Sequence, residues 1–393
     1  MDNEIILSNL QIHTEKGMIK NGSVIVRNKK IFDIVPKNKI SKKRAANAYS
    51  FPKNYHLVPG FIDLHVHGAR GSDVMDATQN ALETMSRALA EEGTTGFLAT
   101  TMTAAPTDIE KALRNVNDFV KNQKKLSGAK LLGVHLEGPF ISPKKVGAQR
   151  ADLILKPNVD LVTAWQKISG NNIKLLTLAP ELENSKELIR FLKRKKIIAA
   201  IGHTDATYEE TLAAIKLGCS HVTHLFNAMR PLHQREPGVV AAALQSEQVT
   251  AELIADGLHV HPAILQLALT LKTPEKISLV TDAMRAKCLT DGKYELGGQI
   301  VFVKDNRVNL ADGTLAGSVL KMNEALRNIL QFTHCSIKDA IKMLSENPAK
   351  ELNLFSRKGS IAKKKDADLV VLDDTFKVVM TVCEGAVTFC SRD

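Results

Sequence analysis

Between residues 56 and 284 the sequence alternates short apolar runs with stretches of helical period, and this rhythm constrains the fold more than any other feature. The runs are HLVPGFIDLHVHG, TTGFLAT, KLLGVHLEGPF, IKLLTLAPE, KIIAAIGHTD, SHVTHLFNAM, VTAELIADGLHV and KISLVTDAM. Short continuous apolar runs signal strands buried on both faces, and the helical stretches between them supply the crossovers that parallel strands require. Eight such units predict an α/β fold of the (β/α)8 TIM-barrel type. A doubly wound open sheet is the competing architecture, but it normally carries G-x-G-x-x-G after its first strand, and that motif is absent there.

At 393 residues the chain exceeds what one simple core accommodates, so a satellite unit is expected. The N-terminal segment reads as alternating strands, EIILSNLQIHT and NGSVIVRNKKIFDIV, with turns at Lys16-Gly17 and Asn21-Gly22. SIAKKKDADLVVLDD and FKVVMTVCEGAVTF repeat that texture near the C-terminus. Residues 1–57 and 355–393 are therefore expected to pair into one small β-sandwich flanking a barrel domain over 58–354. Residues 291–312 read as a hairpin inserted after the eighth strand.

The net charge of +11 raises the question of nucleic acid. Its basic runs, Lys42 to Arg44, Lys193 to Lys196 and Lys363 to Lys365, carry no interleaved aromatic residues for base stacking, so solvated surface is the better reading. The positive field still favours encounter with a small anionic substrate. MDNEIILSNL lacks the positive start of a signal peptide and no apolar run has membrane-spanning length, so the expected location is the cytoplasm. Cys219, Cys288, Cys335, Cys383 and Cys390 are scattered, which predicts reduced, buried thiols and no thiolate zinc site.

In barrels the chemistry sits at the C-terminal ends of the strands. Here run one ends in His65 and His67, run three in Glu137, run five in His203, run six in His224, run seven in His259 and run eight in Asp282. Alternate residues of a strand share a face, so His65 and His67 point together into the barrel mouth. Imidazoles with carboxylates match the donor preference of zinc or iron at an open catalytic site. No lysine ends run four, leaving Glu137 as the bridging candidate if two metals bind. His135 shares a strand face with Glu137, either supporting the ligands or simply buried. His221 lies an odd number of residues from His224 and is expected to face the helices. His233 and His261 sit in or beside loops, where they either touch substrate or, the commoner case, are solvated, and His13, His56 and His334 read as structural.

HLEGPF (135–140), IGHTDA (201–206), THLFNAM (223–229), REPG (235–238), IADGLHV (254–260) and LVTDAM (279–284) occur in order, with PGFIDLHVHG before them and LAGS (315–318) and NPAK (347–350) after. This series resembles the signatures of the N-acetylglucosamine-6-phosphate deacetylases of the amidohydrolase superfamily. The resemblance covers nearly the whole chain. It implies that Glu137, His203 and His224 hold the principal divalent metal and that Asp282 is the catalytic acid/base, also serving as a ligand. His65 and His67 correspond to a second-metal pair that only some members possess, so one or two ions per chain are implied, zinc first and iron, manganese or cobalt as alternatives. Asn227, Ala228 and His259 correspond to sugar-phosphate contacts. Ala148, Gln149 and Leu315-Ala316-Gly317 correspond to the pocket lining. Arg235 corresponds to a residue that reaches the phosphate of the neighbouring subunit's substrate, which implies a homodimer.

Two positions depart from the family pattern. Gln149 stands where some members have a histidine that polarises the acetyl carbonyl; an amide N–H still donates there, but not as a cation. Gln234 also replaces a histidine of some relatives. Rival readings are another amidohydrolase, such as a D-aminoacylase, a dihydroorotase or a nucleobase deaminase, or a metal-free barrel serving as a scaffold. Asn227-Ala228 followed by Arg235 argues for a sugar phosphate, and the complete ligand set argues against a scaffold.

Overall fold

The computed structural model describes residues 4–36, 47–123 and 127–391; the basic run at 42–44 lies outside them. Each of the eight runs contributes one parallel strand, in chain order: Phe61–Val66, Thr94–Thr101, Lys130–Glu137, Ile173–Leu178, Ile198–Ile201, Cys219–Val222, Thr250–Ile254 and Ile277–Val280. Every residue of the first two strands is buried, because helices cover the outer face and side chains fill the inner one. The eighth strand meets the first just beyond its own end. The Asp282 N–H donates to the His65 carbonyl (2.8 Å), and the His67 and Gly68 N–H groups donate to the Ala283 carbonyl (2.8 and 3.0 Å).

Local sequence explains where the helices start and stop. Tyr208–Leu217 begins with a reciprocal cap between Thr207 and Glu210 and ends at Gly218, whose φ of 138° disfavours a side chain. Ser185–Lys195 buries Leu188, Ile189 and Leu192 and places Lys193, Arg194 and Lys195 in its last turn, where cations oppose the partial negative charge of the helix end. The Lys193–Lys196 run is thereby solvated surface.

Three features differ from the sequence reading. The first run is two strands: His56–Pro59 pairs in the terminal sheet, while Phe61–Val66 enters the barrel. Gly60 makes the junction, and a Cβ there would lie 2.1 Å from the Thr95 hydroxyl. The terminal unit is one continuous eight-stranded sheet. Its order is Ala386–Cys390, Val378–Cys383, Leu369–Leu372, His56–Pro59, Glu4–Thr14, Gly17–Arg27, Lys30–Val35, with Asn47–Ser50 also on Glu4–Thr14. Its two wings share one core, including Leu7, Val24 and Leu57 with Leu369 and Met380. The insertion adds a third strand to the expected hairpin, Gly292–Leu296, Gln299–Lys304 and Arg307–Asn309. All five cysteines are free, but only Cys219 and Cys383 are buried and Cys390 is exposed.

Buried charge ties the terminal unit together. Lys358 Nζ lies 2.6 Å from Asp368, 3.3 Å from Glu384 and 3.5 Å from Asp366, and Glu384 also pairs with Lys130 at the start of the third barrel strand. Removing one member of a buried ion cluster strands the others without compensation. Lys358→Met is expected to cost about 3–5 kcal/mol in urea unfolding. An unchanged midpoint would show that the cluster does not hold the unit together.

Candidate metal and substrate site

The barrel mouth collects the strand-end residues. His65 lies fully buried one residue before the end of the first strand, with His67 just beyond that end, and Glu137 ends the third. His203, His224 and Asp282 sit just past their strands in left-handed backbone, with φ of 46°, 29° and 48°. Such conformations persist only where neighbouring interactions hold them. Here the His203 carbonyl accepts from the Ser142 N–H, the His224 N–H donates to Glu252, and Asp282 bonds through its N–H to His65 and through its carbonyl to Ser318.

Two triads result. In one, the His65 and His67 Nε2 atoms lie 3.3 Å apart and 3.3 and 3.2 Å from Asp282 Oδ1. In the other, the His203 and His224 Nε2 atoms lie 3.1 Å apart and 3.1 and 3.2 Å from Glu137 Oε1. Glu137 stands between them, its Oε1 3.4 Å from His65 and its Oε2 3.4 Å from His67. A tetrahedral zinc with bonds of about 2.0–2.1 Å has ligand–ligand edges of about 3.3 Å. Both triads have edges near that length. Their imidazole nitrogens also face one another, an arrangement of lone pairs that a cation satisfies and that two N–H groups cannot.

Electrostatics gives the same result. Burial by itself lowers the pKa of His65, but Asp282, Glu137 and Glu252 outweigh it and raise it well above the ordinary imidazole range. His67 is likewise raised to about 9 against its burial, by hydrogen bonds to Asp282 and Glu137. Burial pushes Glu137 up, yet His65, His203 and His224 hold it well below the usual carboxylate range. The mouth thus demands positive charge, which protons on histidine provide and a divalent ion replaces.

A cavity of about 270 Å³ opens above these groups, lined at its floor by His67, Glu137, His203, His224 and Asp282. Its walls carry Ala148, Gln149, Asn227, Ala228, His259, Leu315 and Gly317. Three expected residues are not on it. His65 is fully buried beneath the floor, Ala316 turns into the small core under the insertion, and Arg235 is exposed on the 230–237 loop. Gln149 donates from Nε2 to Glu137 Oε2 (2.7 Å) and accepts the Thr103 N–H at Oε1 (2.7 Å), so its amide orients the carboxylate. His259 donates from Nδ1 to Asp256 (2.6 Å), which also accepts two backbone N–H groups and leaves Nε2 facing the cavity.

Other histidines fall into place by their partners. His135 bonds Thr177 (2.7 Å) and the Leu64 carbonyl (3.2 Å), and burial lowers its pKa to about 3, so both nitrogens are committed and the ring supports His65 edge to face. His221 does not simply face the helices: it joins Glu252 (2.9 Å) to Glu351 (2.7 Å) in the buried wall. Counting alternation from His224 anticipated the contact with Glu351 on its helix but not the one with Glu252, and His224 itself lies past the strand end. Sequence reasoning also missed Glu252, Asp256 and the cavity residues Met102, Gly147, Leu296 and Thr314. For Glu252 the available signal was a lone carboxylate inside an apolar strand.

Residues 56–388 match the model of the Amidohydrolase family, and the chain belongs to that family. It is 47% identical over 397 residues to an N-acetylglucosamine-6-phosphate deacetylase of Bacillus subtilis, covering 100% of this chain and 99% of that one. The structure is similar to that of N-acetylglucosamine-6-phosphate deacetylase from Pasteurella multocida (TM-score 0.92, 29% identity, 98% and 99% of the two chains). It is also similar to a mutant of the Mycobacterium smegmatis deacetylase in complex with N-acetyl-D-glucosamine-6-phosphate (TM-score 0.90, 30% identity, 98% and 99%).

Because Glu137 touches both triads, its removal should be felt across the whole centre. Glu137→Ala is expected to abolish retention of divalent metal, read by elemental analysis after dialysis of the folded protein. Full retention would refute the assignment.

Proposed function

We propose that this chain hydrolyses the acetamide of N-acetylglucosamine 6-phosphate to glucosamine 6-phosphate and acetate. The observation that carries the reading is the pair of histidine–carboxylate triads, one of which contains Asp282, at the floor of a cavity whose wall presents Asn227, Ala228 and His259. Near full-length similarity to deacetylases supports the substrate class.

Glu137, His203 and His224 would hold one divalent ion and His65, His67 and Asp282 a second, with Glu137 shared; zinc is favoured by the donor set. When bound, such an ion supplies hydroxide near neutral pH and polarises the amide carbonyl. Asp282 accepts the proton of the attacking water as the C–O bond forms, then delivers it to the nitrogen as the C–N bond breaks. His259, held by Asp256, offers its remaining ring nitrogen to the sugar. Gln149 keeps the Glu137 carboxylate turned toward the triads, so its departure from the family histidine affects the metal ligand before it affects the acyl group.

Arg235 fits a role in trans, since it is exposed and outside its own chain's cavity. In a homodimer it would reach the phosphate bound by the partner. Among the described residues no helix is long and apolar enough to cross a membrane, and we place the enzyme in the cytoplasm as a proposal.

Asp282→Asn is expected to lower kcat by about 10²–10⁴-fold while metal remains on Glu137, His203 and His224. Near-normal turnover would remove Asp282 from the chemistry. Arg235→Ala should raise KM for the phosphorylated sugar at least about tenfold, the loss of a charged hydrogen bond, and leave N-acetylglucosamine unaffected. Equal losses on both sugars would exclude a phosphate contact.

A further inference from the structure

Glu252 lies at the centre of the seventh barrel strand with no exposed surface and no access to the cavity. Its Oε2 is 3.0 Å from His65 Nδ1 and 3.0 Å from the backbone nitrogen of His224. Its Oε1 is 2.9 Å from His221 Nε2. His65 directs Nε2 toward its triad, so Nδ1 carries the hydrogen and donates it to Glu252, which fixes the tautomer. The bond from the His224 N–H restrains a residue in left-handed backbone, where its imidazole can reach the other triad. One oxygen atom therefore supports a member of each triad.

The carboxylate cannot rotate away from this task. His221 holds Oε1, and the other nitrogen of His221 is fixed by Glu351 (2.7 Å), whose second oxygen accepts from Ser278 (3.1 Å). This chain of bonds runs from the barrel centre to the helix turn Asn347–Glu351 on its outside. A displacement of Oε2 moves the His65 ring and the His224 backbone together.

We propose that Glu252 is a positioning residue that couples the two triads, so that both metal ions depend on one carboxylate that touches neither. The inference rests on the reading that both triads hold cations, and the wild-type chain tests that reading first. Equilibrium dialysis against zinc should count two ions per chain; a single ion would remove the basis for coupling, whatever the variants do.

Two variants then separate position from charge. Glu252→Asp keeps the charge but withdraws it by one methylene, so it cannot reach both donors. Zinc affinity at both sites should fall by about 10–100-fold, with a changed visible spectrum when cobalt replaces zinc. Glu252→Gln keeps an oxygen that accepts from both N–H groups, while its amide donates to His221, and should lose less than about tenfold at either site. The proposal is overturned if Glu252→Asp weakens only one site or neither, or if Glu252→Gln loses as much as Glu252→Asp. Should Glu252→Asp not fold, Glu252→Gln decides alone: a loss beyond about tenfold at either site means that charge, not position, is what matters.

Discussion

Buried negative charge sets the terms for the rest of this structure. Asp63, Glu137 and Glu252 are all but inaccessible in the barrel interior, with Asp282 close beside them. Carboxylates removed from water are costly unless cations or donors surround them. Asp63 is satisfied by Thr281 and the His65 N–H; the others gather five histidines from the ends of the first, fifth and sixth strands. The ring of imidazoles is thus the compensation required by the carboxylates, and the cation-shaped gap between them follows from the geometry of that compensation.

Compensation alone does not make a catalytic centre, because a barrel interior is normally filled by packed side chains. Space is kept open here by what lies above the strands. The insertion after the eighth strand forms its own small core of Leu296, Val301, Val303 and Val308 against Met102 and Met284, and it leans over the mouth. Gln299 anchors it by donating to the Ala148 carbonyl (2.7 Å), while Leu296 turns toward the cavity. A polar floor under an apolar lip suits a substrate with one reacting amide and a hydroxylated ring.

The barrel was legible because both faces of its strands are buried, which leaves continuous apolar runs with chemistry at their ends. What escaped was whatever depends on partners distant in sequence. HLVPG reads as one piece with FIDLHV, and only pairing with Leu369–Leu372 shows that it belongs to a different sheet. The two triads were readable from strand ends, but their backbone was not: left-handed turns at His203, His224 and Asp282 break the alternation, which gave His221 its helix-facing contact with Glu351 and missed its bond to Glu252. Glu252 looked like an isolated charge because its three donors come from two other strands and a following turn.

The division of that first run has a consequence for how the chain is made. His56–Pro59 lies in the terminal sheet between Glu4–Thr14, already synthesised, and Leu369–Leu372, which leaves the ribosome after the whole barrel. Through most of synthesis one side of this strand is an unpaired edge, directly upstream of the strand that carries His65. Open edges invite pairing with other chains. Late closure by the C-terminal strands therefore completes the satellite sheet and also removes the nascent chain's sticky edge.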